Sequence, residues 1–225
     1  MRSINFEHRQ GVGFQITDYP NAEKVIALSG GKAQELADMA LHMSDLILAD
    51  EYLDLSIKSE DGSICQRASW RMAIITFIKC FSNNKSRPNT LDINQIIPND
   101  ELGIEVFLYF KNLRNKNVVH DENPIDQCLV GAIINKEDAQ FKVEQIVTMN
   151  VRGEVNANAN VSNLMNLIKV TREYVEQRYN NLCDELTSEL EILSHTELIK
   201  RGVLTYSKPI ADDVSKSRKV LGAGQ

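Results

Sequence analysis

Four basic side chains lie close together in an otherwise acidic chain: Lys111, Arg114, Lys116 and His120. The 225 residues carry a formal net charge of -6, so the chain cannot coat nucleic acid through its overall electrostatics. Any contact with nucleic acid must therefore be local. The segment 113–122 is the part of the sequence whose residue types could make such a contact.

The order of residues in this segment is more specific than its charge. Arg114 is followed by the polar Asn115, five residues separate Arg114 from His120, and Asp121 comes next. A purely structural role is the alternative, because positive charges near the C-terminal end of a helix stabilise the helix dipole.

No other pattern in the sequence points to a catalytic or metal site. The remaining histidines, His8, His42 and His195, lie far apart, so we assign them to surface or packing roles. The cysteines are widely spaced without a C-x-x-C pair, so we expect them to be reduced and buried. They are Cys65, Cys80, Cys128 and Cys183. We therefore expect neither a bound metal nor a cofactor.

The basic segment must be positioned mainly by helices. We predict a mainly α fold, a helical bundle of about four to five helices with a small β-hairpin inserted before the long C-terminal helix. A first helix is expected from about 32 to 53, and residues 64–81, apolar nearly all round, should form the most enclosed helix. The core stripe predicted for the first helix is Leu36, Ala40, Met43 and Ile47.

A third helix should begin near Asn99-Asp100-Glu101 and carry the basic segment at its end. It should stop by Asn123-Pro124, because proline disfavours helix in the residue before it. Its predicted core stripe is Leu102, Val106, Tyr109, Phe110 and Leu113.

The rest of the chain is expected to form a β-hairpin, a long helix and two terminal regions. Val- and Ile-rich runs at 127–135 and 140–149 predict the hairpin, and 161–193 the long helix. We expect three regions: a lead-in at 1–29 with a possible short hairpin, a helical domain at 30–200, and a flexible tail at 201–225.

The composition indicates an ordinary globular protein, with 43% hydrophobic and 25% charged residues. The longest strongly apolar stretch, 72–81, is far shorter than the roughly 20 residues that span a bilayer. The first residues have no apolar signal-peptide region. We therefore expect a cytoplasmic protein without a membrane partner.

The segment Arg114-Asn115-Lys116-Asn117-Val118-Val119-His120 resembles the R-x(4-6)-H motif of the HEPN superfamily, whose members are small helical bundles. The resemblance covers about ten residues in sequence and roughly 32–195 in architecture. It implies a homodimeric, metal-independent ribonuclease acting on RNA, in many members a toxin or phage-defence protein with a cognate antitoxin.

The resemblance also implies roles for individual residues. His120 would be the general acid or base, and Arg114 would bind the scissile phosphate. Asn115, Lys116 and Asp121 would support them, Lys116 from the same helix face as His120. On an ideal helix Arg114 and His120 lie about 120° apart, so the helix must end or bend, or a second subunit must supply the partner.

Two other functions remain open from the sequence. The chain could be a non-catalytic helical module for dimerisation or for binding RNA or protein. It could also be the partner of a nucleotidyltransferase, because some HEPN domains act with such enzymes.

Overall fold

The structure is a computed structural model and describes residues 6–9, 13–16, 18–19, 21–83, 85–120, 122, 125–153, 158–205 and 208–218. The chain is mainly helical, with a small antiparallel hairpin before the long C-terminal helix, as predicted. The helices are α1 (Gly31–Lys58), α2 (Ile64–Lys79), α3 (Ile93–Ile96), α4 (Glu101–Leu113), α5 (Asn158–Glu191) and α6 (His195–Lys200). None of the helices in the described part of the chain is long and apolar enough to span a membrane.

Two antiparallel hairpins accompany the helices. In the lead-in, β1 (Phe6–Arg9) pairs with β2 (Gly13–Ile16). The second hairpin pairs β3 (Asp126–Ile134) with β4 (Val143–Arg152). Its loop is longer than predicted, because β3 ends at Ile134 and β4 begins at Val143, with an irregular register between Ile133 and Ile134. At the ends of this loop the Asn135 amide donates to the Lys142 carbonyl oxygen at 3.0 Å.

The chain forms two compact units, each built from non-consecutive segments. Unit 1 comprises Met1–Ser44, Ser82–Leu91 and Arg172–Gln225, and unit 2 comprises Asp45–Phe81 and Asp92–Thr171. Both α1 and α5 contribute residues to each unit. The regions predicted as 1–29, 30–200 and 201–225 remain a prediction; beyond residue 200, a short 3-10 helix covers Ala211–Ser215.

Aromatic side chains of α2 and α4 form the core of unit 2. The Trp70 ring meets Phe110 edge-on at a centroid distance of 6.1 Å, and Phe77 meets Phe107 at 6.3 Å. These contacts fix the face of α4 that is buried: Phe107, Phe110 and Leu113.

The predicted α4 stripe was wrong at two of its positions. Leu102, in the first turn, is 71% exposed. Tyr109 is also exposed, and its hydroxyl accepts a hydrogen bond from the Asn160 side-chain amide at 3.1 Å. Phe107, which the stripe omitted, takes the buried position because it faces the aromatic rings of α2.

The buried face of α1 also differs from the predicted stripe. Met43 is buried, but Ile47 is exposed and Leu36 and Ala40 are only half-buried. The face is shifted because it includes polar side chains that a hydrophobic pattern leaves out. They are Gln34, Asp38, His42, Asp45 and Ser56.

Burial of α2 agrees with its prediction as an enclosed helix from Ser69 onward, while Ile64 in its first turn and the basic Arg67 and Arg71 are exposed. The Arg67 guanidinium donates a hydrogen bond to the Gly62 carbonyl oxygen. The expected burial of the cysteines was wrong at two positions. Among the cysteines, which are all free, Cys80 is buried and Cys183 half-buried, but Cys65 and Cys128 are exposed.

Candidate functional site

The helix that carries the basic segment begins with the predicted cap. The Asp100 carboxylate accepts a hydrogen bond from the Gly103 amide at 2.9 Å, which satisfies one of the free amides of the first turn. Glu101 follows in that turn, where a negative charge suits the helix dipole. The start of α4 is therefore fixed by residues adjacent in sequence.

The geometry of the helix changes at the first motif residue. From Arg114 to Val119 the backbone forms a π-helix, and at His120 it becomes extended, with φ -124° and ψ 151°. The helix thus ends just before His120, one of the conditions that the spacing imposed. Short π-helical stretches within α-helices occur frequently at functional sites.

Arg114 is held by its neighbour in sequence. Its Nη1 donates a hydrogen bond to Asn115 Oδ1 at 2.8 Å, and both side chains are half-buried. Its Nε is buried and has no hydrogen-bond partner among the described residues. Such an unpaired donor costs about 1–3 kcal/mol and is uncommon in folded proteins. The Arg114 guanidinium is therefore held by Asn115, while its Nε–H has no acceptor among the described residues.

His120 is exposed, and none of the described residues forms a hydrogen bond with its imidazole. The structure thus joins Arg114 to Asn115 but not to His120. Lys116 is exposed, and its carbonyl oxygen accepts from the Glu122 amide at 2.8 Å. Because His120 lies beyond the helix end, the predicted shared helix face with Lys116 is not formed. Asp121 lies outside the described residues.

Asn117 contributes a contact that its sequence position did not predict. Its side-chain amide donates to Asp126 Oδ2 at 3.5 Å, a long contact between the π-helix and the first residue of β3. The sequence shows a polar residue at this position of the R-x(4-6)-H motif. The spacing of the motif does not specify which residue its side chain contacts. This contact and the bond from Glu122 connect the motif to the base of the hairpin.

A second polar cluster lies in unit 1, around His42. His42 Nδ1 lies 3.2 Å from Arg87 Nη1, and Nε2 lies 2.8 Å from the Asn89 carbonyl oxygen. Because arginine only donates, Nδ1 must accept and Nε2 must carry the hydrogen. The Asp38 carboxylate accepts from the Asn89 amide at 3.1 Å and from its side chain at 2.9 Å.

This cluster is structural. His42 and Asp38 are completely buried, and their bonds hold residues 87–89 against α1. The packing role assigned to His42 is thus observed. His195 is exposed, with Nε2 3.5 Å from Glu23 Oε2, as a surface residue should be.

Within the described residues, no group of three or more His, Cys, Asp or Glu side chains could hold a metal ion. A cavity of about 290 Å³ lies in unit 2, and none of the motif residues lines it. Its lining is acidic, which is unfavourable for a phosphate. The residues are Asp50, Glu51, Leu53, Asp54, Ile57 and Met165.

Comparison with known proteins gives no match to a family model, to a curated protein or to a solved structure.

Proposed function

We propose that this chain is a metal-independent endoribonuclease of the HEPN type that acts on RNA in the cytoplasm. The observation that carries the proposal is the placement of the motif. Arg114 opens a π-helical segment, and His120 follows directly after that segment with an exposed imidazole. The two side chains that resemble the superfamily's catalytic pair therefore lie where a helix is interrupted and solvent is accessible.

The reaction follows from the chemistry of these side chains. His120 removes the proton of a ribose 2′-hydroxyl, or protonates the leaving 5′-oxygen, because an imidazole can both accept and donate a proton. The 2′-oxygen forms a bond to phosphorus as the bond to the 5′-oxygen breaks, which leaves a 2′,3′-cyclic phosphate and a free 5′-hydroxyl. Arg114 stabilises the charge that develops on the phosphate oxygens.

Local charge supports binding of an RNA phosphate at this position. Lys111 and Lys116 are exposed on either side of Arg114 along the chain. Elsewhere the chain is acidic, so a strand of RNA would be held near this segment and repelled by other parts of the surface. Binding should therefore weaken strongly as salt is added.

A second copy of the chain completes the site in this proposal. Among the described residues His120 has no bond to Arg114, so one chain supplies an acid–base group without a partner to orient it. A homodimer would supply the missing acid or base from its second His120. Regulation by a cognate antitoxin, and a role as a toxin or in phage defence, belong to the same proposal through the resemblance.

Cleavage of a labelled single-stranded RNA in EDTA tests the activity. Wild-type protein should cut, and His120→Ala and Arg114→Ala should each lower the rate by at least about 100-fold. His195→Ala is the matched control, because it removes an exposed histidine in the other unit and should leave the rate unchanged. Wild-type cleavage by His120→Ala would contradict the proposal.

A non-catalytic interaction module is the second candidate. The absence of a hydrogen bond between Arg114 and His120 among the described residues favours it, as does the net charge of -6. In that case the wild-type chain would leave RNA intact in EDTA and in magnesium, and Arg114→Ala would weaken binding of RNA or a protein without any change in cleavage.

A further inference from the structure

The β3–β4 hairpin, which we call the hairpin arm, exposes apolar side chains on both of its faces. On one face, called the Val130 face, Val130 is 72%, Ile134 66% and Ile146 61% exposed. The strand register places these three on one side, because Ala132 pairs with Ile146 and side chains alternate along β3. The opposite face exposes Leu129, Ile133, Val147, Met149 and Val151.

Two apolar faces are unusual for a hairpin in water. An antiparallel pair with one solvated face normally alternates between apolar and polar residues, whereas a strand covered on both faces is apolar throughout. The runs 127–134 and 145–151 contain no charged residue. Charged side chains and proline usually protect free strand edges from pairing, and neither occurs in these runs. The arm thus has the composition of strands that are covered.

The exposed apolar area of the arm is large enough for the centre of an interface. Ten large apolar side chains of the arm, including Phe141 in its loop, are each at least 37% exposed. These ten side chains lie on both faces and in the loop, so a single contact cannot cover them all. On the Val130 face alone, Val130, Ile134 and Ile146 leave on the order of 300 Å² of apolar surface in water. A patch of this size is comparable with the largest apolar patch on a typical protein, which is often functional, and it would supply a large part of the apolar portion of the roughly 800 Å² that each partner buries in a standard interface.

We propose that the hairpin arm is a homodimer interface, covered by the arm of a second copy with the Val130 face at its centre. The net charge of -6 opposes contact between two copies over most of the surface, so two copies would meet where charged side chains are absent, as on the arm. An uncharged apolar patch is also complementary to itself, as a two-fold interface requires. A membrane fits less well, since one hairpin would leave the backbone groups at both strand edges unsatisfied in lipid.

The proposed interface does not depend on the ribonuclease activity, because the observations that support it concern only the hairpin arm. It deepens the proposed function only by naming the surface through which two copies would associate. Oligomeric state and RNA cleavage are therefore measured separately. A dimer that does not cut RNA would refute the proposed activity and leave the interface intact.

Sedimentation velocity on the full chain tests the interface. Wild-type protein at about 10 µM should sediment as a dimer, and Val130→Lys and Ile146→Lys should each sediment as a monomer with unchanged far-ultraviolet circular dichroism. Ile192→Lys is the matched control, because Ile192 is 85% exposed, lies outside the arm and should leave the dimer intact. A wild-type monomer, or a dimer that survives both arm substitutions, would overturn the proposal.

A thiol measurement covers the case in which the arm variants fail to fold. Cys128 shares the Val130 face and Cys65 lies in α2, and both are exposed in the single chain. In the dimer, maleimide should modify Cys128 at least about 10-fold more slowly than Cys65, and dilution should remove the difference. Equal modification rates of Cys128 and Cys65 at every protein concentration would overturn the interface. A wild-type monomer that binds vesicles of phosphatidylcholine and phosphatidylglycerol through the arm would also overturn it.

Discussion

Asn115 accepts a hydrogen bond from the guanidinium of the residue just before it, Arg114, at 2.8 Å. The pair is half-buried, so the bond restricts a long side chain that would otherwise sample many rotamers. The polar residue after the arginine thus has a physical task in this structure, which is to set the direction of the guanidinium.

Removal of this acceptor should reduce RNA cleavage without unfolding the protein. Asn115→Ala loses one hydrogen bond, worth about 0.5–1.5 kcal/mol, so kcat/KM should fall by about 2- to 13-fold. Asn112→Ala, an exposed asparagine on α4, is the control and should cleave at the wild-type rate. An unchanged rate in Asn115→Ala would show that the bond does not position Arg114 for the reaction.

Phe110 connects the stability of α4 to its packing against α2. Its side chain is fully buried beside Trp70, so Phe110→Ala should lower the free energy of unfolding by about 3–5 kcal/mol. Urea denaturation measures the change. Leu102→Ala, at the exposed start of the same helix, should cost less than about 0.5 kcal/mol. Similar losses in the two variants would contradict the buried face described for α4.

Residues close in sequence made the type of fold and the start of α4 predictable. The cap at Asp100 depends on Gly103, three positions away, and the hairpin on two apolar runs joined by a polar loop. Burial of polar groups was not predictable in this way. His42 is buried because Arg87 and Asn89 satisfy its ring nitrogens from 45 and 47 positions away, a distance at which no periodicity operates.

For the candidate site, the sequence predicted which residues are involved but not their geometry. The R-x(4-6)-H spacing selected Arg114 and His120, but the π-helix depends on backbone bonds that no residue pattern specifies. The bond between Arg114 and Asn115 forms between neighbours, yet a polar residue at that position has several possible partners. The ribonuclease activity itself remains a prediction.

The cap of α4 gives a third measurable effect. Asp100→Ala removes the acceptor for the Gly103 amide and should lower the free energy of unfolding by about 1 kcal/mol. Asp100→Asn keeps an acceptor at the same position and should cost only a few tenths of that. Chemical denaturation at neutral pH separates the two variants. Equal losses would indicate that the carboxylate charge, and not the cap, stabilises the helix.

An ion cluster in unit 1 should make stability depend on pH. Lys32 bonds to Glu185, and together with Arg178 it holds the pKa of this glutamate below its ordinary value near 4.5. Arg178 also binds both carboxylate oxygens of Glu35, at 2.7 and 3.0 Å. A folded-state pKa below the unfolded one means that the ion pairs stabilise the protein above the unfolded pKa. This stabilisation is lost as the pH falls through the folded pKa.

Glu185→Gln should therefore be less stable than wild type at pH 7, and the difference should be smaller at about pH 3. The difference should also shrink in 0.5 M salt, because the cluster is accessible to solvent. Urea denaturation at the two pH values provides the measurement, and Glu173→Gln, exposed on the same helix, is the control that should show no such dependence. A pH-independent difference would assign the effect to packing instead of charge.

The three segments of unit 1 have a consequence for the order in which the protein folds during synthesis. Glu35 emerges from the ribosome early, but its partner Arg178 follows 143 residues later. All residues of unit 2, by contrast, have been synthesised once Thr171 is added. At about 5–20 residues per second, the N-terminal half of α1 waits about 7–30 s for the end of α5. During translation, unit 2 can therefore be completed before unit 1, although the first segment of unit 1 precedes unit 2 in the sequence.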